Sequence, residues 1–477
     1  MQIVPSTFIA LLAIVVLAMR GPQRALWAYF ALIPFGAAAA FNLPALGGAT
    51  IGLKELASVA ILALIFLTPG GPNRLAGALR PGQPGFWLLL LMLYAIFSAL
   101  FLPVVFRGET EVFAISRSAN EKGIIAIPLR PTTGNITQLF YMTLAALAFM
   151  SLSTLFRANP DTRIALVAVA TATSVNFALG WIDVLSAAVG LDMLLDPIRT
   201  ANYAILAEHR MAGLKRMIGG FPEASAFGAF SLGMFAFWLQ YWVTGPRSRL
   251  AGIMLLMSAI VLLRSTSSGA YVATVVFLVG FAMTTGLSRT RARVPRRLAM
   301  AMFGLVLALW GASLVLFAAY ELVDPVTAFF DRAVFDKLET DSGVERMSWN
   351  AQAFRNFVDT KLLGAGIGSV RASNWLLAAL GSLGLIGTAL YLTFLAALGR
   401  MPVGPADPAT AATVGAFKAA CAALFLNALL TGATPNLGVT FFSLAGVCVG
   451  LARGAQIAAR TPRRTAHRPA TGTPHAL

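Results

Sequence analysis

Charged residues, cysteine and histidine are all scarce in this chain of 477 residues. Only 12% of the residues are charged, 58% are hydrophobic, and the mean hydropathy is +0.77. This composition excludes a water-soluble enzyme. The two cysteines, Cys421 and Cys448, lie inside apolar runs, which excludes an extracytoplasmic disulfide framework and indicates small core residues.

The three longest stretches between apolar runs, 107–136, 190–222 and 322–371, contain no HExxH motif, no paired cysteines and no histidine other than His209. We therefore expect no protein-ligated metal. The chain also lacks a Walker A motif, so no cofactor is expected. The net charge of +17 comes from basic residues scattered between apolar runs, which argues against a nucleic-acid partner.

The apolar residues come in runs of about 17–27, the length that crosses a hydrocarbon layer. Continuous runs of this kind predict helices rather than barrel strands. We predict an all-α polytopic membrane protein with about 12–13 transmembrane helices, formed by one membrane domain over 1–459, with a disordered basic cytoplasmic tail over 460–477. The runs lie near 3–19, 25–42, 51–68, 86–106, 137–156, 163–189, 223–243, 248–263, 268–287, 298–321, 372–398, 413–431 and 436–452.

Basic residues indicate the orientation of the spans. Every second connection collects arginines, and these connections contain only two acids, Asp161 and Asp407. Because positive loops stay in the cytoplasm, the bias predicts an N-terminus on the outer side of the membrane and a cytoplasmic C-terminus. The arginines of these connections are Arg20, Arg24, Arg74, Arg80, Arg157, Arg163, Arg247, Arg249, Arg289, Arg291, Arg293, Arg296, Arg297, Arg400, Arg453, Arg460, Arg463, Arg464 and Arg468.

Three predicted outward loops are long, at 107–136, 190–222 and 322–371, and long loops in compact proteins are often functional. The third loop contains a segment with helical periodicity. Its apolar residues Val344, Met347, Ala351, Phe354 and Val358 share one stripe. We predict an amphipathic helix over about 343–358, lying at the membrane surface, with Arg346 off the stripe.

Basic residues border the helices on the outward side as well, against the orientation bias, and this favours a substrate role for some of them. Arginine binds phosphate oxygens through two parallel hydrogen bonds. The alternative is that these residues form ordinary salt bridges with loop acids. The outward basic residues are Arg199, His209, Arg210, Lys215, Arg216, Arg264, Arg346, Arg355, Lys361 and Arg371.

Two short motifs lie next to these residues. In RMIGGFPEASAFGAF, a glycine turn places Glu223 at the start of a membrane helix. In LLGAGIGSVRASN, three glycines precede Arg371, Ser373 and Asn374 at another predicted helix start, where free N–H groups suit an anion. Such turns form either an anion cradle or an ordinary helix start. Gly381, Gly384 and Gly387, further along, are interpreted as close-packing positions.

Taken together, ERMSWNAQAF, LLGAGIGSVRASN, LGSLGLIGTALYLTFL, RMIGGFPEASAFGAF and LLRSTSSGAYVATVV resemble segments of the bacterial O-antigen ligase/polymerase family. The resemblance implies an inner-membrane glycosyltransferase that uses undecaprenyl-diphosphate-linked glycans on the periplasmic face without metal or nucleotide sugar. Ligases of the family typically carry a histidine in the last large loop, and this chain has none there. The FPEAS variant looks more like exopolysaccharide polymerases.

The resemblance implies roles for particular residues. We predict that Arg216, Arg346 and Arg371 bind the donor diphosphate and that Glu223 is the catalytic base, the alternative for Glu223 being a helix cap. The predicted substrate-binding residues are Arg210, Arg264, Asn374, Ser373 and His209. The expected partners are the lipid-linked glycan, membrane lipids, a chain-length regulator and a flippase.

The sequence is also compatible with two other functions. An O-antigen ligase would transfer the glycan to lipid A core. A flippase or transporter for lipid-linked glycans would need ionisable groups within the membrane, and Asp183 in the sixth run is a candidate.

Overall fold

The computed structural model describes residues 2–43, 48–115, 124–206, 210–211, 214–287, 341–403 and 407–460. Numbered along these residues, the helices are α1 (Pro5–Arg20), α2 (Leu26–Leu32), α3 (Leu53–Phe66), α4 (Gly71–Ala78), α5 (Pro84–Val105), α6 (Thr133–Ala158), α7 (Thr162–Ala188), α8 (Ala224–Thr244), α9 (Arg249–Arg264), α10 (Ser268–Leu287), α11 (Asp341–Asp359), α12 (Trp375–Arg400), α13 (Pro408–Thr431) and α14 (Gly438–Arg460).

The connections contain little other regular structure. A 3-10 helix covers Asp192–Ile198, and three two-stranded antiparallel sheets are formed by β1 (Ala39–Leu43) with β2 (Ala49–Gly52), β3 (Glu111–Ile115) with β4 (Ile124–Pro128), and β5 (Arg210–Met211) with β6 (Leu214–Lys215). The prediction of an all-α polytopic membrane protein is confirmed.

Within the described residues, seven helices are long and apolar enough to cross a membrane: α5, α6, α7, α8, α12, α13 and α14. An eighth span results if α3 and α4, between which the chain bends by 119°, are taken as one broken span. α1 and residues Ser268–Thr284 of α10 are shorter apolar helices. The predicted run near 298–321 and the tail beyond Arg460 lie outside the described residues, so the total of about 12–13 spans remains a prediction.

The run at 25–42 was predicted as one helix, and this prediction was wrong. It forms the seven-residue α2 and then, after a turn, strand β1. The unwound part is buried, and its backbone is hydrogen-bonded to a remote loop, since Ala37 N–H donates to Gly220 O (2.7 Å) and Ala37 O accepts from Ala201 N–H (3.0 Å). Irregular backbone is tolerated at membrane depth when protein surrounds it.

Close helix packing depends on small residues. Gly446, Gly450 and Gly454 recur every four residues on α14 and lie against α6, where a Cβ at Gly450 would be 2.6 Å from the Phe156 Cβ. This spacing places the glycines on one helix face, so the two backbones approach closely. Cys421 and Cys448 are free and buried, as predicted for core residues.

Helix α11 confirms the predicted helix in the third long loop and extends it slightly at both ends. Val344, Met347, Phe354 and Val358 of the apolar stripe are 49–53% exposed. The other face packs on the protein, where Asn356 is buried. An apolar stripe exposed on a helix that also docks on a membrane domain fits a location at the membrane surface.

Candidate functional site

A buried carboxylate anchors the loop that carries Arg216. Asp183, near the end of α7, is 0% exposed and lies 2.6 Å from Arg199 Nη2 and 3.2 Å from Lys215 Nζ. Its second oxygen accepts hydrogen bonds from the backbone N–H groups of Ile218 (2.8 Å) and Gly219 (3.0 Å). Three of these four donors belong to residues 215–219, so the carboxylate fixes this segment against α7. Lys215 also pairs with Asp192 at 2.9 Å.

Arg216 lies within this fixed segment and reaches the turn between α9 and α10. Its guanidinium donates to Thr266 O (3.0 Å) and more weakly to Thr266 Oγ1 (3.4 Å). Partial burial lowers the pKa of the Arg216 guanidinium, and the positive charge of Arg346 lowers it further. Glu223 and Tyr271 act in the opposite direction and raise the pKa of Arg216. Glu223, Tyr271 and Arg346 are thus all close enough to act on the charge of Arg216, which stays cationic at neutral pH.

Arg264, the last residue of α9, joins the same neighbourhood. Its Nη2 donates to Lys215 O at 3.1 Å, while its buried Nη1 has no hydrogen-bond partner among the described residues. Both Arg264 and Arg216 interact electrostatically with Tyr271. The Tyr271 hydroxyl holds the turn by accepting from Thr266 N–H (3.1 Å) and donating to Leu263 O (2.5 Å).

Glu223 occupies the N-cap position of α8, but its side chain makes no capping hydrogen bond. The side chain is exposed and accepts a hydrogen bond from the Ser225 hydroxyl. The helix-cap alternative is therefore not realised through the carboxylate, which instead is close enough to Arg216 to raise its pKa.

Arg346 and Arg371 belong to the third long loop and are both exposed. Arg371 lies over the ring of Trp349, 4.7 Å from its centroid, a cation–π contact. Trp349 is three residues after Arg346 on α11, so the two side chains occupy neighbouring positions on that helix. Arg371 is thus connected to the same helix as Arg346, whereas no contact of the described residues places it beside Arg216.

Ser373 and Asn374 form hydrogen bonds at the start of α12. Ser373 N–H donates to Asn350 Oδ1 at 2.8 Å, which ties α11 to this start. Asn374 Oδ1 accepts from the N–H groups of Leu376 (2.9 Å) and Leu377 (3.2 Å). These are N-cap bonds, so the N–H groups expected to bind an anion are already partly occupied.

The glycine run before Arg371 is a packing element. Gly364, Gly366 and Gly368 all have positive φ, between 84° and 93°. A Cβ at Gly368 would lie 2.3 Å from Gly134 O at the start of α6, and one at Gly366 would lie 2.7 Å from Pro103 of α5. Of the two alternatives left open for this run, the contacts favour the ordinary helix start over the anion cradle.

The close-packing interpretation of the later glycines is confirmed, since a Cβ at Gly381 would lie 2.8 Å from Ala353 O of α11 and one at Gly387 would lie 2.7 Å from the Tyr94 ring of α5. α12 is broken at Gly384, whose backbone is non-helical (φ 63°, ψ −166°). Leu385 N–H donates to Leu362 O (2.9 Å), and a Cβ at Gly384 would lie 2.3 Å from Leu363 C. The break lets residues 362–366 pack into the helix.

The structure therefore assembles Arg216, Arg264, Arg346, Glu223 and Tyr271, which we call the Arg216 cluster. None of its three arginines forms a salt bridge with any described acid. His209 lies outside the described residues, and only the backbone of Arg210, in β5, is described. Sequence reasoning missed Tyr271 and the combined role of Asp183, Arg199 and Lys215.

One acid, Glu223, accompanies the three guanidinium groups of the cluster, so the cluster suits a ligand with several negative charges. Where the structure describes the chain, no three His, Cys, Asp or Glu side chains are grouped to hold a metal ion. No family model matches the sequence, and no curated protein matches it.

Proposed function

We propose that the protein is a membrane glycosyltransferase that polymerises glycan repeat units carried on undecaprenyl diphosphate. One observation carries the proposal: Arg216 in the loop before α8, Arg264 at the end of α9 and Arg346 on α11 form one cluster without salt-bridge partners among the described acids. A lipid-linked diphosphate places its charges at the membrane surface, and arginine is the residue suited to them.

The proposed reaction exchanges one glycosidic bond for another. The bond between the anomeric carbon of the donor glycan and its diphosphate breaks, and undecaprenyl diphosphate leaves with the bonding electrons. A hydroxyl of the acceptor repeat unit attacks the anomeric carbon and loses its proton to Glu223. The arginines stabilise the charge on the leaving diphosphate, and removal of one such donor typically raises the barrier by about 2.7–4 kcal/mol.

The surroundings of the cluster support this assignment. Helix α11 carries Arg346 and exposes its apolar stripe, so a membrane-surface location would hold this arginine near the level of lipid headgroups. Exposure of Glu223 leaves its carboxylate accessible to an acceptor sugar. The proposed substrates are the two lipid-linked glycans, with membrane lipids, a chain-length regulator and a flippase as further partners and the inner membrane as the location.

The transport alternative relied on Asp183 as an intramembrane ionisable group. In the fold this carboxylate is neutralised by Arg199 and Lys215 and accepts two backbone hydrogen bonds. A coupling group must exchange protons or ions, whereas these contacts hold Asp183 as a structural anion. This favours polymerisation over transport.

Reconstitution with a defined lipid-linked repeat unit tests the proposal. We expect chain extension by the unmodified protein and a loss of about a hundredfold or more for Arg216→Ala and Glu223→Gln. Arg355→Ala is the matched control, because Arg355 is exposed on α11 and is not part of the cluster.

Each alternative has its own outcome in the same assay. Transfer to added lipid A core would identify a ligase, and leaflet exchange without bond formation would identify a flippase. Full-length polymer from both Arg216→Ala and Glu223→Gln at normal membrane abundance would remove the catalytic assignment.

A further inference from the structure

A second group of arginines lies at the opposite end of the bundle. Arg157 is in the last turn of α6, and both Arg80 and Arg453 are close enough to repel its charge. Arg157 packs over α4, where a Cβ at Gly77 would lie 2.5 Å from its Nη1. We call Arg74, Arg80 and Arg157, which line one cavity, the Arg157 cluster.

The two clusters are separated by the length of the spanning helices. Asp183, which anchors the Arg216 segment, and Arg163, at the other end of α7, are 20 positions apart in sequence. At 1.5 Å per residue this corresponds to about 30 Å along the helix. The Arg157 cluster therefore cannot be part of the site described above.

A cavity of about 240 Å³ opens beside Arg157, and its lining includes Arg74, Arg80, Asn73 and Thr154. Thr154 is only 3% exposed, yet its hydroxyl has no hydrogen-bond partner among the described residues. The same is true of the buried Nη1 of Arg157. Two unpartnered polar atoms thus border a cavity whose charged lining is positive.

The orientation bias accounts for arginines at this end of the helices, because positive loops stay in the cytoplasm. It does not account for buried donors without partners, since an unsatisfied buried donor is costly. Nor does it account for guanidinium groups held together with no salt bridge to any described acid. An anion with several oxygen atoms would accept hydrogen bonds from the buried donors and would also neutralise the unpaired guanidinium groups.

The position of the cavity indicates where that anion comes from. The cavity lies beside α4 at the ends of α6 and α14, where the polar headgroups of a bilayer are expected. Its lining also includes Ile457, which is 45% exposed and offers an apolar surface beside the charged one. A positive pocket between membrane helices with an apolar rim is typical of a phospholipid headgroup site.

We propose that the Arg157 cluster binds the phosphodiester headgroup of an anionic phospholipid. The guanidinium groups and the Thr154 hydroxyl donate hydrogen bonds to the phosphate oxygens, and an acyl chain lies along Ile457. The lipid joins α4, α6 and α14 at this end of the bundle, independently of the proposed glycosyltransferase activity.

Native mass spectrometry of the full chain, exchanged into detergent with phosphatidylglycerol, tests the proposal. We expect at least one retained phosphatidylglycerol and about tenfold weaker retention in Arg80→Gln, the effect of losing one charge-assisted hydrogen bond. Arg80 is exposed, so this variant does not disturb the core. Arg157→Gln, at the centre of the cluster, should show the larger loss.

Arg400→Gln is the matched control. Arg400 is exposed at the end of α12, and Gln456 of α14 donates to Pro402 O two residues further on, which places Arg400 at the same end of the bundle but outside the cavity lining. Retention should be unchanged in this variant. Equal loss in Arg400→Gln and Arg80→Gln would overturn the proposal, since it would show that only overall charge matters.

A second measurement separates a lipid from free phosphate. We expect phosphatidylglycerol to raise the thermal unfolding temperature in detergent, and phosphatidylcholine or inorganic phosphate to have little effect. If inorganic phosphate alone gives the full stabilisation, or if phosphatidylglycerol gives none in the unmodified protein, the lipid site is disproved.

Discussion

Asp183 is a carboxylate inside an apolar run, where an ionised group is costly unless it is paired. Its pairing with Arg199 and Lys215 brings together groups from α7 and from the loop before α8. Arg216 immediately follows Lys215, so the anchor also determines where the Arg216 guanidinium lies. The position of the proposed diphosphate-binding arginine therefore depends on a residue that has no part in the reaction.

Asp183→Asn tests this dependence. An amide keeps the shape of the side chain but leaves the buried Arg199 without its counter-charge and removes one of the two acids that pair with Lys215, so we expect a loss of about 3–5 kcal/mol in stability. The thermal unfolding temperature in detergent should fall clearly, and chain extension should fall with it.

Asp407→Asn is the control for this substitution. Asp407 caps α13 by accepting from Thr410 N–H at 2.9 Å, and asparagine caps helices about as well as aspartate. An unchanged unfolding temperature in Asp183→Asn would contradict the anchoring role.

The segment 362–368 shows how a helix break positions a loop. Gly384 interrupts α12, and the freed backbone groups pair with this segment, as in Gly366 N–H to Ser382 O at 3.0 Å. Asn135 of α6 adds a bond from its amide to Ile367 O. The loop that leads to Arg371 is thus held by α5, α6 and α12 together, which makes it rigid despite its three glycines.

Gly368→Ala should destabilise the protein. Gly368 has φ +84°, and an added Cβ would lie 2.3 Å from Gly134 O. The unfavourable backbone conformation alone costs about 1–3 kcal/mol, and the clash adds to it. We expect a lower thermal unfolding temperature in detergent.

Gly280→Ala is the matched control, because Gly280 lies within α10 and a Cβ there would meet nothing within 4 Å. Alanine in a helix is favoured over glycine by up to about 1 kcal/mol, so the unfolding temperature should stay the same or rise. A Gly368→Ala protein as stable as Gly280→Ala would disprove the tight packing of this segment.

The molecule is asymmetric from end to end in its charge. One end holds the Arg157 cluster, and Arg20 and Arg24 line a neighbouring cavity together with Arg74. The opposite end mixes acids with bases, as in the pairing of Lys215 with Asp183 and Asp192. Under the positive-inside rule, the Arg157 end should face the cytoplasm and the Arg216 cluster the periplasm.

Thiol labelling tests this orientation. With the buried Cys421 and Cys448 replaced by alanine, a single cysteine is introduced as Arg355→Cys or Arg74→Cys, both at exposed positions. A membrane-impermeant maleimide should label residue 355 in spheroplasts and residue 74 only after permeabilisation. The reverse pattern would place the proposed active site on the wrong side of the membrane for periplasmic glycans.

Much of the fold follows from short-range features of the chain. Helices α5, α6, α7 and α8 begin and end within a few residues of the predicted runs, since the thickness of a bilayer sets the length of an apolar run. Helix α11 was predictable from its apolar periodicity. Arg216, Arg264, Arg346 and Glu223 were identified from charge and motif context, and Arg216, Arg346 and Arg371 were expected to share one diphosphate, but the contacts of Arg371 are with Trp349 of α11 and none joins it to Arg216.

What the amino-acid order specifies is therefore the membrane class, most helix limits and the residue types available for chemistry, because each depends on neighbours within one or two helical turns. The tertiary structure decided that 25–42 unwinds, because Ala37 finds hydrogen-bond partners at Gly220 and Ala201. It likewise decided that Asp183 is an anchor, since Lys215 and Ile218, which belong to the loop before α8, contact its carboxylate. Partners so distant along the chain meet only when the bundle closes, and no local pattern encodes them.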